Sequence, residues 1–201
     1  MNVLVGCERS ATVRDEFLKR GHDAYSCDLY PRLGDDRHMQ CDAFEAISSR
    51  RWDRIILHPP CTCIALCGNK HYGQGMPKHG DRIKAIEWTR RLWDYAVSKC
   101  DGVGMENPKN VMGPVIGKRT QAIQPWQFGH PEQKETWLWL HGLPELTPTN
   151  VVFDEMMQRP KRDRERIFHM TPSKDRGDKR SKTYAGIAKA MAEQWGRDRE
   201  E

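Results

Sequence analysis

Between residues 2 and 110, short apolar runs alternate with amphipathic stretches, and this alternation is the strongest constraint on what the chain can fold into. Strands joined by helical crossovers build a mostly parallel sheet covered on both faces, so the pattern predicts an α/β, Rossmann-like domain. Residues 2–5 (NVLV) read as a buried strand. Residues 13–21 follow as a helix, with Val13, Phe17 and Leu18 on one side and Gly21 where a C-cap falls. Further strands are expected at 23–28, 38–42, 54–60 and 102–108, the last two stopped by prolines. Residues 81–99 carry Ile83, Ile86, Leu92, Trp93, Ala96 and Val97 on a broad stripe and predict the longest helix. Residues 136–140 (TWLWL) read as a strand buried on both faces, and 184–195 as a closing amphipathic helix.

At 201 residues the chain has room for one domain spanning 1–201. No apolar run approaches the roughly 20 residues that span a bilayer. The amino terminus turns charged after a few apolar residues, unlike a signal peptide, so a cytoplasmic protein without membrane contact is expected. Seven cysteines, an odd number without an export signal, read as free thiols rather than a disulfide framework. Residues 154–182 hold ten Lys or Arg against six Asp or Glu, which is four of the net charge of +5. With few apolar residues and several turn formers, that stretch reads as a basic mobile loop. A polyanionic partner is compatible with it.

In open α/β sheets ligands lie beyond the carboxyl ends of the strands. The predicted strand ends here are all polar or reactive: Gly6, Cys7 and Glu8 after the first, Asp28 after the second, Asp42 after the third, HPPCTC (58–63) after the fourth and ENP (106–108) after the fifth. Asp28 lies about twenty residues after the first turn, the position from which a carboxylate reaches ribose hydroxyls. The first turn has one glycine where a pyrophosphate cradle has three, which suits an adenosine cofactor without phosphates, such as S-adenosylmethionine. Pro59 and Pro60 stiffen the backbone before Cys61 and display a nucleophilic thiol in the cleft. Glu106, ending the adjacent strand, enters the same crevice as a candidate acid or hydrogen-bonding group.

These motifs resemble the carbon-5 cytosine DNA methyltransferases, and more closely their small phage and bacterial versions. PPC (59–61) resembles the Pro-Cys nucleophile motif, and ENP (106–108) resembles Glu-Asn-Val. FGHPEQKETWLWLHG (128–142) is similar to the segment YGxPQxRxRxxxxG, with Glu132 at the Gln, Lys134 at the first Arg and Thr136 at the second. Residues 183–195 resemble the closing helix that helps bind cofactor. The resemblance implies that Cys61 attacks carbon 6 of cytosine, Glu106 engages the ring nitrogen and amino group, and Lys134 holds charge near the base carbonyl. S-adenosylmethionine bound by Gly6, Cys7, Glu8, Asp28, Asp42 and Pro59 is the implied donor, and DNA, duplex or single-stranded, the implied partner. The chain departs from the pattern in having no separate recognition domain. Phosphate contacts then fall to Arg159, Lys161, Arg162, Arg164 and Arg166, and strong sequence specificity is not expected.

Three rival readings stay open at this stage. HPPC also looks like the Asp-Pro-Pro-Tyr motif of exocyclic amino methyltransferases, whose chemistry needs no thiol. A non-catalytic nucleic-acid-binding protein would share the fold. The set His58, Cys61, Cys63, Cys67 and His71 has metal-binding residue types, but its spacing is not the usual CxxC pairing, so no metal is assigned.

Overall fold

The computed structural model describes residues 1–197. Strands β1 (Asn2–Gly6), β2 (Asp23–Asp28), β3 (His38–Gln40), β4 (Arg54–Leu57), β5 (Val103–Pro108), β6 (Gln121–Ile123) and β7 (Thr136–His141) form one sheet of order β3-β2-β1-β4-β5-β7-β6. The helices are α1 (Thr12–Leu18), α2 (Ala43–Ser48), α3 (Asn69–Tyr72), α4 (His79–Lys99), α5 (Gly113–Ile116), α6 (Phe153–Gln158), α7 (Lys161–Arg164), α8 (Arg176–Ser181) and α9 (Ala185–Trp195). Strands β3, β2, β1, β4 and β5 pair in parallel, whereas β7 runs antiparallel to both β5 and β6. The expected mostly parallel α/β sheet is therefore present. Among the described residues no helix is long and apolar enough to cross a membrane.

Strand alternation sends successive side chains to opposite faces. Val3, Val5 and Ile56 pack against Val13 and Phe17 of α1 and Ile187, Met191 and Trp195 of α9. Leu4, Ile55, Leu57, Val103 and Met105 pack on the other side with Ala46 and Ile47 of α2 and Leu92 and Ala96 of α4. Each fully buried aliphatic side chain of this kind contributes about 1.5–3 kcal/mol. The 81–99 stripe is realised as α4, which starts two residues earlier, and the closing helix as α9.

Docking of α9 depends on a missing side chain. The Gly186 amide donates to His130 Nε2 at 2.9 Å, and a Cβ at Gly186 would run into the Phe128 carbonyl. Because that obstacle is backbone, the Gly186→Ala variant is expected to lose at least about 3 kcal/mol of unfolding free energy, the upper range for overpacking, when measured by denaturant titration.

The loop after β2 is tied to α1 by a buried guanidinium. Arg14 bonds Asp35 through both nitrogens, Nη1 to Oδ1 at 2.9 Å and Nη2 to Oδ2 at 2.7 Å, and Arg32 adds a third bond at 2.6 Å. The Arg14 hydrogen bond holds the Asp35 carboxyl well below the usual carboxylate range. A carboxyl depressed in the folded state stabilises fully above its unfolded pKa, near 3.9, and loses that contribution as pH falls toward the folded value. The Asp35→Asn variant should accordingly be less stable than the parent at pH 7, with the gap in Tm closing below about pH 3.

Residues 154–182 are not one featureless loop. They form α6, α7 and α8, and they bury Met156 and Ile167, the two apolar anchors that the charge count obscured. The TWLWL strand is packed on both faces as expected, Leu138 and Leu140 on the α1/α9 side and Trp137 and Trp139 on the α2/α4 side, and it runs antiparallel to β5.

Candidate functional site

The strand order reverses between β1 and β4, and the carboxyl ends of β1, β4 and β5 meet there. Leu57 pairs with Met105 in the β4–β5 register, so His58 and Glu106 are the next residues on each strand. Both follow residues packed on the α2/α4 side, so alternation turns both toward the face shared by α1 and α9. They meet there: His58 Nδ1 and Glu106 Oε2 are 3.0 Å apart, with side chains 8% and 13% exposed.

The Cys61 loop is fixed from three sides. Asn107 donates from Nδ2 to the Pro59 carbonyl at 2.8 Å, and its Oδ1 accepts from Asn110 at 3.2 Å. Arg82, buried in the first turn of α4, donates to the carbonyls of Cys63 and Ala65 at 2.7 and 3.2 Å and to Asn69 Oδ1 at 2.8 Å. The Ala65 amide also donates to the Cys61 carbonyl at 2.8 Å. Three neutral acceptors on one guanidinium leave the loop that carries Cys61 little freedom.

Charge in the site is concentrated and dry. Burial pushes the Cys61 thiol up, the negative charge of Glu106 pushes it further, and Lys134 pulls it back. The charges of Glu106 and Lys134 therefore both bear on the Cys61 thiol, in opposite directions. Burial opposes charge on Glu106, but the His58 hydrogen bond and Lys134 outweigh it and hold the carboxyl below its ordinary value. Burial likewise opposes charge on His58, and Glu106 and Glu8 override it and push the imidazole up. Lys134 Nζ donates to the Arg180 carbonyl at 3.1 Å and lies 5.9 Å from the Tyr184 ring centroid.

The residues assigned to cofactor binding gather around the β1 turn. Gly6 lies so close to its neighbour that a Cβ would sit 2.8 Å from Leu57. Cys7 and Ala11 take left-handed conformations at φ 59° and 58°, rare for non-glycine residues and a mark of strain in this turn. The Cys7 thiol is raised by burial, then by the charges of Cys27, Asp28 and Asp42. Asp42 accepts from the Phe44 amide at 2.8 Å as the N-cap of α2, and Asp28 Oδ1 accepts from Tyr30 at 3.0 Å. Glu8 is only 4% exposed and accepts from the amides of Val13 and Arg14 and from the Ser10 hydroxyl. Its oxygens serve the start of α1, and its charge bears on His58. Pro59 contributes a carbonyl to Asn107.

The basic residues divide into two groups. Arg159, Lys161 and Arg162 face solvent, Arg159 pairing only with Glu155 at 2.8 Å. Arg166 instead reaches Glu132 at 3.1 Å, and the Arg164 carbonyl accepts from the Gln133 amide at 2.6 Å. Glu132 also accepts from the Tyr184 hydroxyl at 2.7 Å. Arg164 and Arg166 thus brace the 130–134 segment that presents Lys134. Exposed Val151, Phe153, Met157 and Phe168 lie on the same stretch.

Sequence reasoning missed Arg82 and gave His58 no role beyond an unfavoured metal set. An Arg in the first turn of an amphipathic helix reads as a surface residue, so Arg82 left no signal. His58 did leave one, because it ends the strand beside the one that delivers Glu106. Among the described residues no three or more His, Cys, Asp or Glu side chains gather in a way that would hold a metal ion. No protein-family model matches the chain, and no curated protein matches it in sequence.

Proposed function

We propose that the protein is an S-adenosylmethionine-dependent methyltransferase acting on carbon 5 of cytosine in DNA, with Cys61 as the covalent nucleophile. The observation that carries this reading is the delivery of the Cys61 loop and Glu106 to the neighbouring carboxyl ends of β4 and β5, with Asn107 of β5 bonded to the Pro59 carbonyl just ahead of Cys61. Carbon 5 of cytosine is a poor nucleophile until a group adds at carbon 6. A constrained thiol does that, and a neighbouring carboxyl at nitrogen 3 draws the electrons away from the ring.

The chain's own residues divide this work. Cys61 approaches carbon 6 from a loop that Arg82 and Asn107 hold still. Burial and the charge of Glu106 favour the protonated thiol at rest. Glu106 faces the ring nitrogen and amino group, and Lys134 stabilises negative charge as it forms on sulfur or on the base carbonyl.

The β1 turn fits the donor. The close approach at Gly6, the strained Cys7 and the ring of Cys7, Asp28 and Asp42 make a cradle that suits a compact adenosine group without phosphates. Asp28, the last residue of β2, is the proposed acceptor for ribose hydroxyls. When bound there, S-adenosylmethionine supplies the methyl group. Outward-facing Arg159, Lys161 and Arg162 suit DNA phosphates, with the base turned out of any duplex at a cost of a few kcal/mol.

The test is incubation with S-adenosylmethionine and a DNA oligonucleotide carrying 5-fluorocytosine. Fluorine blocks the last proton loss, so a stable protein–DNA adduct mapped to Cys61 by mass spectrometry is expected. Methylation of ordinary DNA without such an adduct would transfer the reading to exocyclic amino chemistry, and DNA binding without methyl transfer would reduce the protein to a binding module.

A further inference from the structure

The pair His58–Glu106 goes beyond a single catalytic carboxyl. We infer that His58 is a positioning and proton-storing residue, so that the acid presented to the cytosine ring is the hydrogen-bonded His58–Glu106 pair and not Glu106 alone. The inference rests on the methyltransferase reading and adds a residue and a proton path to it.

Geometry carries the argument. The Nδ1–Oε2 distance of 3.0 Å makes a hydrogen bond between two largely, not fully, buried side chains, and among the described residues His58 is the side chain bonded to Glu106. His58 is anchored through its own backbone, its amide donating to the Gly6 carbonyl at 2.9 Å. Its other nitrogen, Nε2, is buried and has no hydrogen-bond partner among the described residues. An ion pair built for stability would satisfy that donor, since a bare buried N–H costs free energy.

The surrounding charges supply the reason to store a proton there. Part-buried Glu106 on β5 and buried Glu8 after β1 both act on one imidazole, and Lys134 ahead of β7 opposes them. Glu106 alone is held as a carboxylate, which accepts a hydrogen bond from the amino group but has no proton for nitrogen 3. The pair does have one. As the Cys61 sulfur bonds to carbon 6, the carbon 5–carbon 6 π pair becomes the carbon 4–carbon 5 double bond. The former carbon 4–nitrogen 3 pair then takes a proton from Glu106. That proton reaches Glu106 from His58 Nδ1 as it is passed on, leaving Glu106 a carboxylate beside a neutral imidazole, and the thiol proton leaves to water. When sulfur departs at the end, the nitrogen-borne proton returns along the same path.

Two measurements test this. In the first, the His58 imidazole nitrogens are titrated by 15N NMR in the full chain. The ring should titrate above an ordinary imidazole and lose its proton at lower pH in Glu106→Gln. A wild-type His58 that titrates at or below an ordinary imidazole, or is unaffected by Glu106→Gln, overturns the inference without any activity measurement. In the second, single-turnover methyl transfer is followed against pH in wild type and His58→Asn. The Asn amide still donates to Glu106 but carries no transferable proton, so a fall of about 100-fold at pH 8 is expected. The alkaline limb should also move toward acid pH, which lost packing alone would not cause. Transfer by His58→Asn at the wild-type rate and with the wild-type pH profile overturns this inference only. Absence of transfer by wild type on duplex and single-stranded DNA overturns the methyltransferase reading with it.

Discussion

On the proposed covalent route, replacing Cys61 by Ala is expected to abolish the adduct with 5-fluorocytosine DNA and to lower methyl transfer by roughly 10⁴-fold or more, because removing a covalent nucleophile leaves only binding and orientation. The fold should survive the change. Cys61 is partly exposed on a loop whose hydrogen bonds come from Arg82, Asn107 and its own backbone, none of them to the thiol. A methyl-transfer assay on cytosine-containing DNA, read beside a thermal melt, separates the two effects. Activity within tenfold of wild type would exclude the covalent route and favour methylation of an exocyclic amino group.

The second large effect is expected at Arg82, which touches none of the reacting groups. Its guanidinium gives charge-assisted bonds to two carbonyls and one side-chain amide of the Cys61 loop, at 2.7, 3.2 and 2.8 Å. Replacement by Leu strands those buried acceptors, at about 1–3 kcal/mol for each one left unpaired. We expect Arg82→Leu to lose about 3 kcal/mol of stability after partial relaxation, as read from urea unfolding. Methyl transfer should fall further than the folded fraction does. Lys satisfies one acceptor at a time, so Arg82→Lys should fall between the two. A readout independent of catalysis is alkylation of Cys61 mapped by mass spectrometry. A freed loop should react several times faster, whereas an unchanged alkylation rate would show that Arg82 does not constrain the nucleophile.

These effects arise at places where the sequence is unequally readable. Cys61 and Glu106 were visible because each follows an apolar run closed by a proline, and parallel strands end on one side of a sheet. The strand at 23–28 and the long helix were legible because their apolar spacing is nearly undisturbed. The reversal of β7 was not legible, since TWLWL has the same local propensity in either direction, and its pairing is set by contacts with β5 and β6. β6 escaped notice because three residues carry no period. In residues 154–182 charge masked two buried anchors, Met156 and Ile167, which are too far apart to form a local stripe.

Asp42 shows both sides of the matter. As a strand-end carboxylate it was assigned to cofactor, and it also caps α2 through the Phe44 amide. Glu8 was assigned likewise, and the fold spends its oxygens on the first amides of α1. A carboxylate beside a helix start satisfies orphan amides whether or not a ligand is near, and one strand end looks like another in sequence.

The order of residue types along the chain determined the α/β sheet, the end of it where polar side chains collect, and the identity of the thiol and carboxyl delivered there, because strand period and proline stops are local properties. Tertiary structure alone decided that His58 bonds Glu106, that Glu8 and Lys134 bear on the same buried charges, and that Arg82 clamps the loop from a helix about twenty residues away. Those relations depend on register between strands and on depth from solvent, which single residues do not encode and packing does.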